Sequence, residues 1–184
     1  EVFRTGWESI GNAWPGATFV KAGELEGWRL LGEPSASAAS GIKAWHTGNL
    51  IADATGRPRA IAAAPGNGFY WLQLTYAGGS RYPTQAIERK LETVAGARYT
   101  LSFDLAGVPG YGAEQARVGI MVDGQPIASV ASPSPIEGLA WQTYSVQFIA
   151  SGGTQTLRIA DSNSRTGVVG GTQPHSTCNC ATSR

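Results

Sequence analysis

The stretch RYTLSFDLAG, Arg98 to Gly107, decides the fold. Tyr99, Leu101, Phe103 and Leu105 alternate with Thr100, Ser102 and Asp104, the period of two that gives a strand one buried and one outward side. The neighbouring stretches repeat the pattern. In FYWLQLTY, Tyr70, Leu72, Leu74 and Tyr76 share one side, and Phe69, Trp71, Gln73 and Thr75 share the other. AIERKLETV follows as a further strand. In ARVGIMVDGQPIASV, Val118, Ile120 and Val122 alternate up to Asp123-Gly124, a dipeptide suited to the tight turn of a hairpin. WQTYSVQFIA carries Tyr144, Val146 and Phe148 in phase, and TQTLRIAD carries Leu157 and Ile159, the two strands being joined at Ser151-Gly152-Gly153.

Short strands at this spacing, with turn residues between them and no long amphipathic helix, predict an all-β, two-sheet antiparallel β-sandwich. Its expected core comprises Leu72, Leu74, Leu101, Phe103, Val118, Ile120, Val146, Phe148, Leu157 and Ile159, with Trp28, Tyr99 and Tyr144 packed on it. The first 68 residues are poorer in this signal. GWRLL around Trp28 reads as a strand, whereas PSASAASG and ADATGRPRAIAAAPGNG read as long loops over the sandwich. A short helix over Ala52 to Ala64 is the alternative there, and Gly56 and Pro58 oppose it.

Composition agrees. The chain has 184 residues, with charged residues at only 15% and with 25 Gly and 10 Pro, a turn-rich balance that fits one β domain. Residues 1–171 are expected to form it, and residues 172–184 a flexible tail, because that end has no bulky apolar residue and no alternation. A net charge of +1 with scattered Lys and Arg offers no footprint for nucleic acid. No apolar run approaches the roughly 18 residues that would insert in a membrane. The stretch EVFRTGWES lacks the basic and apolar regions of a signal peptide, so an exported form is expected to have lost its signal. Both cysteines, Cys178 and Cys180, lie in the tail. Beside His175 they form too small a set for a zinc site.

From Gly68 to Ala160, about half the chain, the sequence resembles the galactose-binding-like jelly rolls, particularly the modules appended to bacterial polysaccharide-degrading enzymes and related unknown-function domains of plant cell-wall proteins. The resemblance lies in GNGFYWLQL before a turn, AIERKLETV, AGARYTLSFDLAG, VGIMVDGQPIAS, the Trp that opens WQTYSVQFIASG, and TLRIAD. It implies a jelly-roll sandwich, a secreted or cell-surface location and a carbohydrate ligand. In that family a structural calcium ion is often held by an N-terminal Glu and a C-terminal Asp, for which Glu8 in GWES and Asp161 are the nearest candidates here. No other cofactor is implied. This sequence departs from the family at both ends: only GWES stands for the usual opening strand, and GVVGGTQPHSTCNCATSR lacks the closing acidic pair.

Sugar recognition needs flat apolar faces for pyranose C–H groups and planar polar groups for hydroxyls. Six Trp and six Tyr supply the first. Trp71 and Tyr111 are the expected stacking platforms, with Trp45 and Tyr82 as further ones, and Gln73, Arg81 and Arg117 as the hydrogen-bonding side chains. Trp71 is one residue out of phase with Leu72 and Leu74, so it is expected to face solvent. No local signature of a nucleophilic triad or a zinc hydrolase surrounds His46 or His175. The expectation is therefore a non-catalytic carbohydrate-binding module, a monomer or part of a larger chain. The alternatives are an extracellular adhesive or structural domain that binds protein through the same aromatics, and a jelly-roll polysaccharide lyase or hydrolase. For the last, Asp104 with Glu114 or Glu88 would be the candidate acid pair.

Overall fold

The alternating segments form strands because each can bury one side against a second sheet. A computed structural model of the chain describes Trp7 and residues 18–19, 23–31, 41–53, 55–60, 62–66, 70–75, 86–107, 117–132, 140–162 and 175–179. All the regular elements among them are strands. These are β1 (Thr18–Phe19), β2 (Gly23–Leu25), β3 (Trp28–Leu31), β4 (Gly41–His46), β5 (Leu50–Ala52), β6 (Pro58–Ala60), β7 (Tyr70–Thr75), β8 (Ala86–Thr93), β9 (Arg98–Gly107), β10 (Arg117–Val122), β11 (Gln125–Ala131), β12 (Gln142–Ile149), β13 (Gly153–Asp161) and β14 (His175–Asn179).

Two six-stranded sheets result. The first runs β1-β4-β7-β14-β9-β12, the second β11-β10-β13-β8-β3-β2, and β5-β6 form a separate hairpin. Every pairing is antiparallel. The fold is the jelly-roll sandwich that the sequence leads one to expect.

Between the sheets lies a core of Leu72, Leu74, Leu101, Phe103, Leu105, Val118, Ile120, Phe148, Leu157 and Ile159, all buried, with Tyr99, Tyr144 and Val146 packed partly buried against it. The register read from the alternation therefore holds in β7, β9, β10, β12 and β13. Trp28 is fully buried and meets Trp7 with ring centroids 6.2 Å apart, so the N-terminal GWES motif contributes a core side chain. At the β10–β11 turn, Asp123 and Gly124 take φ of 51° and 78°. Positive φ at both central positions is the tight hairpin geometry expected of Asp-Gly.

Two expectations need correction. Residues 172–184 are not simply a tail: His175 to Asn179 form β14, inserted between β7 and β9 in the middle of the first sheet. A central strand needs backbone pairing on both sides more than it needs bulky side chains, so HSTCN fills the place despite its polar composition. Cys178 is the register partner of both Leu72 and Leu105. Second, the stretch read as a loop or a short helix around Gly56 and Pro58 is the β5–β6 hairpin. Asp53 closes its turn, with Oδ1 accepting from Thr55 N at 2.8 Å, Thr55 Oγ1 at 2.6 Å and Arg57 N at 2.9 Å, and Oδ2 accepting from Arg59 Nε at 3.0 Å. An Asp side chain that bonds the backbone two residues on is a turn-forming device, and it outweighs the weak strand propensity of the flanking residues.

Candidate functional site

Facing outward from the first sheet, on the side of β7 away from the core, are Trp71 and Gln73. Solvent does not reach them, since Trp71 is 0% and Gln73 1% exposed. This overturns the expectation that Trp71 stands free as a platform. Outward phase on a strand means only that a side chain points away from the sandwich core, and here further aromatic residues stand over the sheet. Trp45, the register partner of Trp71 on β4, stacks on it with centroids 5.4 Å apart and planes 11° from parallel. Trp141, just before β12, meets Trp71 edge to face at 6.1 Å. Trp45 and Trp141 are both half-buried and form the rim of this cluster.

Hydrogen bonds fix the group in place. Trp45 Nε1 donates to Gln73 Oε1 at 2.8 Å, and Trp141 Nε1 donates to the carbonyl of Ala62 at 2.9 Å. Ala63 N donates in turn to Thr47 Oγ1 at 3.0 Å, so the segment after the β5–β6 hairpin is tied to the turn that follows β4. Because Gln73 Oε1 is the acceptor for Trp45, the amide orientation is set and Nε2 is a donor facing elsewhere. That donor and Trp71 Nε1 are both buried with no hydrogen-bond partner. Leaving one buried donor unpaired costs about 1–3 kcal/mol, so two on adjacent outward positions of one strand call for an explanation.

Asp104 adds a carboxylate to the same side of the sheet. Trp71 and Asp104 each lie one residue beyond the row formed by Leu72, Cys178 and Leu105. Asp104 is 9% exposed, and its Oδ1 accepts from Thr143 Oγ1 at 2.5 Å. Glu88, the candidate second acid, is on the outward side of the other sheet, where Arg158 Nε donates to it at 2.6 Å and Arg29 Nε lies 3.8 Å from it. Asp104 and Glu88 are therefore separated by the whole sandwich and form no acid pair, while Glu114 lies outside the described residues.

Of the ligand residues expected from the sequence, the structure brings together Trp45, Trp71 and Gln73. Arg117 does not join them. It alternates with the inward Val118 and Ile120 on β10, so it faces out from the second sheet, with Nη1 3.5 Å from Ser129 Oγ. Arg81, Tyr82 and Tyr111 lie outside the described residues. Glu8 is also outside the described residues. Asp161 is buried at the end of β13, opposite Val118, and among the described residues no three His, Cys, Asp or Glu side chains are grouped to hold a metal ion. Asp104 was named from the sequence only as a candidate acid, whereas Trp141 was not singled out, yet Trp141 is out of phase with the inward Tyr144, Val146 and Phe148 and that signal was sufficient to find it.

No protein-family model matches the sequence, and no curated protein matches it. Among solved structures, the apo form of a cyclase from Fischerella sp. superposes with a TM-score of 0.58 at 15% identity, over 96% of this chain and 90% of that one. The K2 cleaved adhesin domain of Lys-gingipain gives 0.55 at 10% identity, over 97% and 95%. A family 35 carbohydrate-binding module from Clostridium thermocellum gives 0.40 at 13% identity, over 74% and 94%. At such identities the likeness to the first two is one of fold. Among the described residues no helix is long and apolar enough to cross a membrane.

Proposed function

We propose that this chain is a carbohydrate-binding module of an extracellular protein, and that it holds its ligand on the outward side of the first sheet at Trp45 and Trp141. The observation that carries the reading is the three-tryptophan cluster, in which a buried Trp71 braces two half-buried indoles. A pyranose needs a rigid aromatic face and a planar polar group beside it, and Trp45 with Gln73 supplies both. Calorimetric titration with a panel of neutral, acetylated and acidic oligosaccharides tests this reading. Binding that is lost in Trp45→Ala with the fold retained is the expected result, and no binding across the panel overturns it.

A catalytic reading rests on Asp104, a poorly exposed carboxylate beside the tryptophans on a fold shared with a cyclase. It predicts turnover of a bound ligand that Asp104→Asn abolishes, whereas a binding module leaves every oligosaccharide of the panel unchanged.

A further inference from the structure

The two unpaired donors of β7 indicate which chemical group the proposed site recognises. Gln73 Nε2 and Trp71 Nε1 are buried without partners. As residues i and i+2 of one strand they stand roughly 7 Å apart along the same side of the sheet. Gln73 cannot turn its amide to relieve the deficit without giving up the bond from Trp45 to Oε1. Both groups can only donate, so the ligand atoms that satisfy them must accept. A hydroxyl placed there would also bring a proton that needs an acceptor of its own. A carbonyl oxygen brings none.

Charge narrows the choice. Asp104 lies in the cross-strand row of Trp71, two strands away across β14, a separation of about 10 Å. It is largely withdrawn from solvent. Both donors are neutral and buried, so a carboxylate brought against them would lose its hydration without gaining a countercharge from them, a cost that a neutral carbonyl avoids. Tryptophan faces beside the donors provide a surface for a small apolar group attached to that carbonyl.

We infer that the site selects N-acetylated sugars, with the acetamido carbonyl accepting from Gln73 Nε2, a ring or glycosidic ether oxygen, which carries no proton, accepting from Trp71 Nε1, and the acetamido methyl packed among the indoles. The inference rests on the carbohydrate-binding reading given above. Trp141, which meets Trp71 edge to face and is held at its indole nitrogen by the carbonyl of Ala62, borders the proposed site.

Titration of the whole chain with triacetylchitotriose, cellotriose and digalacturonic acid, followed by tryptophan fluorescence and calorimetry, tests it. Triacetylchitotriose is expected to bind at least about tenfold more tightly than cellotriose, the ratio that one lost hydrogen bond to a buried donor gives. Gln73→Glu keeps an acceptor for Trp45 and removes the free donor, so it should erase that preference. Gln73→Met, which buries no charge, serves the same end if the Glu variant does not fold. Equal binding of acetylated and plain trioses, or preference for the acidic sugar, overturns the acetamido assignment while leaving a sugar-binding module. Absence of binding by all three, and by the wider panel, overturns both.

Discussion

Trp71 lies flat against Trp45 on the outward side of the first sheet, yet it is as inaccessible as any residue of the sandwich core. A second layer therefore stands over β7, and Trp71 braces it. Trp71→Ala should destabilise the fold by about 3–5 kcal/mol, the usual cost of emptying a buried Trp site. Thermal unfolding followed by circular dichroism measures it. A melting temperature within a degree or two of the parent would place Trp71 outside any packed layer.

The strand β14 lies between β7 and β9 and bonds to both. Removing residues 175–184 should split the first sheet and leave the facing backbone groups of two core strands unpaired. Loss of the cooperative thermal transition is the expected outcome. An unchanged transition would return this segment to the role of a tail.

The contrast between these two regions shows what the sequence displays and what it hides. β9, β10, β12 and β13 were legible because each alternates with large apolar residues on its inward side, and burial of those residues sets the register. β14 was hidden because HSTCN has no such residues, and its position depends on neighbours far away in the chain. Trp71 illustrates a second limit. Period two correctly assigned its side of the strand, but whether that side meets water depends on Trp141 and on the segment around Ala62, more than 60 and nearly 10 residues away in sequence respectively. Arg117 was linked to Trp71 by chemistry alone, and topology puts the two on opposite outer sides of the sandwich.

Acid should weaken the hairpin turns specifically. The Thr55 hydroxyl, joined by the backbone of Arg57 and Thr55 and the side chain of Arg59, holds the Asp53 carboxyl far below its usual range despite desolvation. At the β10–β11 turn, the backbone N–H of Thr156 and then the Gln155 amide lower Asp123 in the same direction. Each folded pKa lies below the unfolded value of about 3.9. The stabilisation is therefore fully present above pH 4 and fades as pH falls through the folded pKa values. Melting temperatures between pH 7 and pH 2 should fall more steeply for the parent than for Asp53→Asn, which has already lost the charged acceptor. Parallel curves would show that Asp53 has no part in the acid response.

Gly152, in the β12–β13 turn, has φ of 92°, and a methyl group added there would stand 3.0 Å from the Cβ and backbone nitrogen of Ala95 in the β8–β9 turn. Gly152→Ala combines an unfavourable backbone region with a contact too close to a second turn, so a loss of about 1–3 kcal/mol is expected. Gly124→Ala, with φ of 78° but no atom within 4 Å of the added methyl, isolates the backbone part of that cost. Chemical denaturation of the two variants side by side should rank Gly152→Ala lower. Equal losses would show that the two turns do not press on each other.

Paired substitutions locate the binding surface by topology. Trp141 forms the rim of the tryptophan cluster on the first sheet, and Arg117 faces out from the second. Trp141→Ala should weaken oligosaccharide binding by about tenfold or more, since an aromatic stacking face typically supplies a kcal/mol or so beyond its buried area. Arg117→Ala should leave affinity unchanged, because the thickness of the sandwich separates it from the cluster, about 10 Å from sheet to sheet before any side chain is added. Calorimetric titration of both variants with the tightest-binding oligosaccharide, alongside their melting curves, separates loss of contact from loss of fold. If Arg117→Ala loses binding while Trp141→Ala retains it, the ligand lies on the second sheet and the tryptophan cluster is a packing device alone.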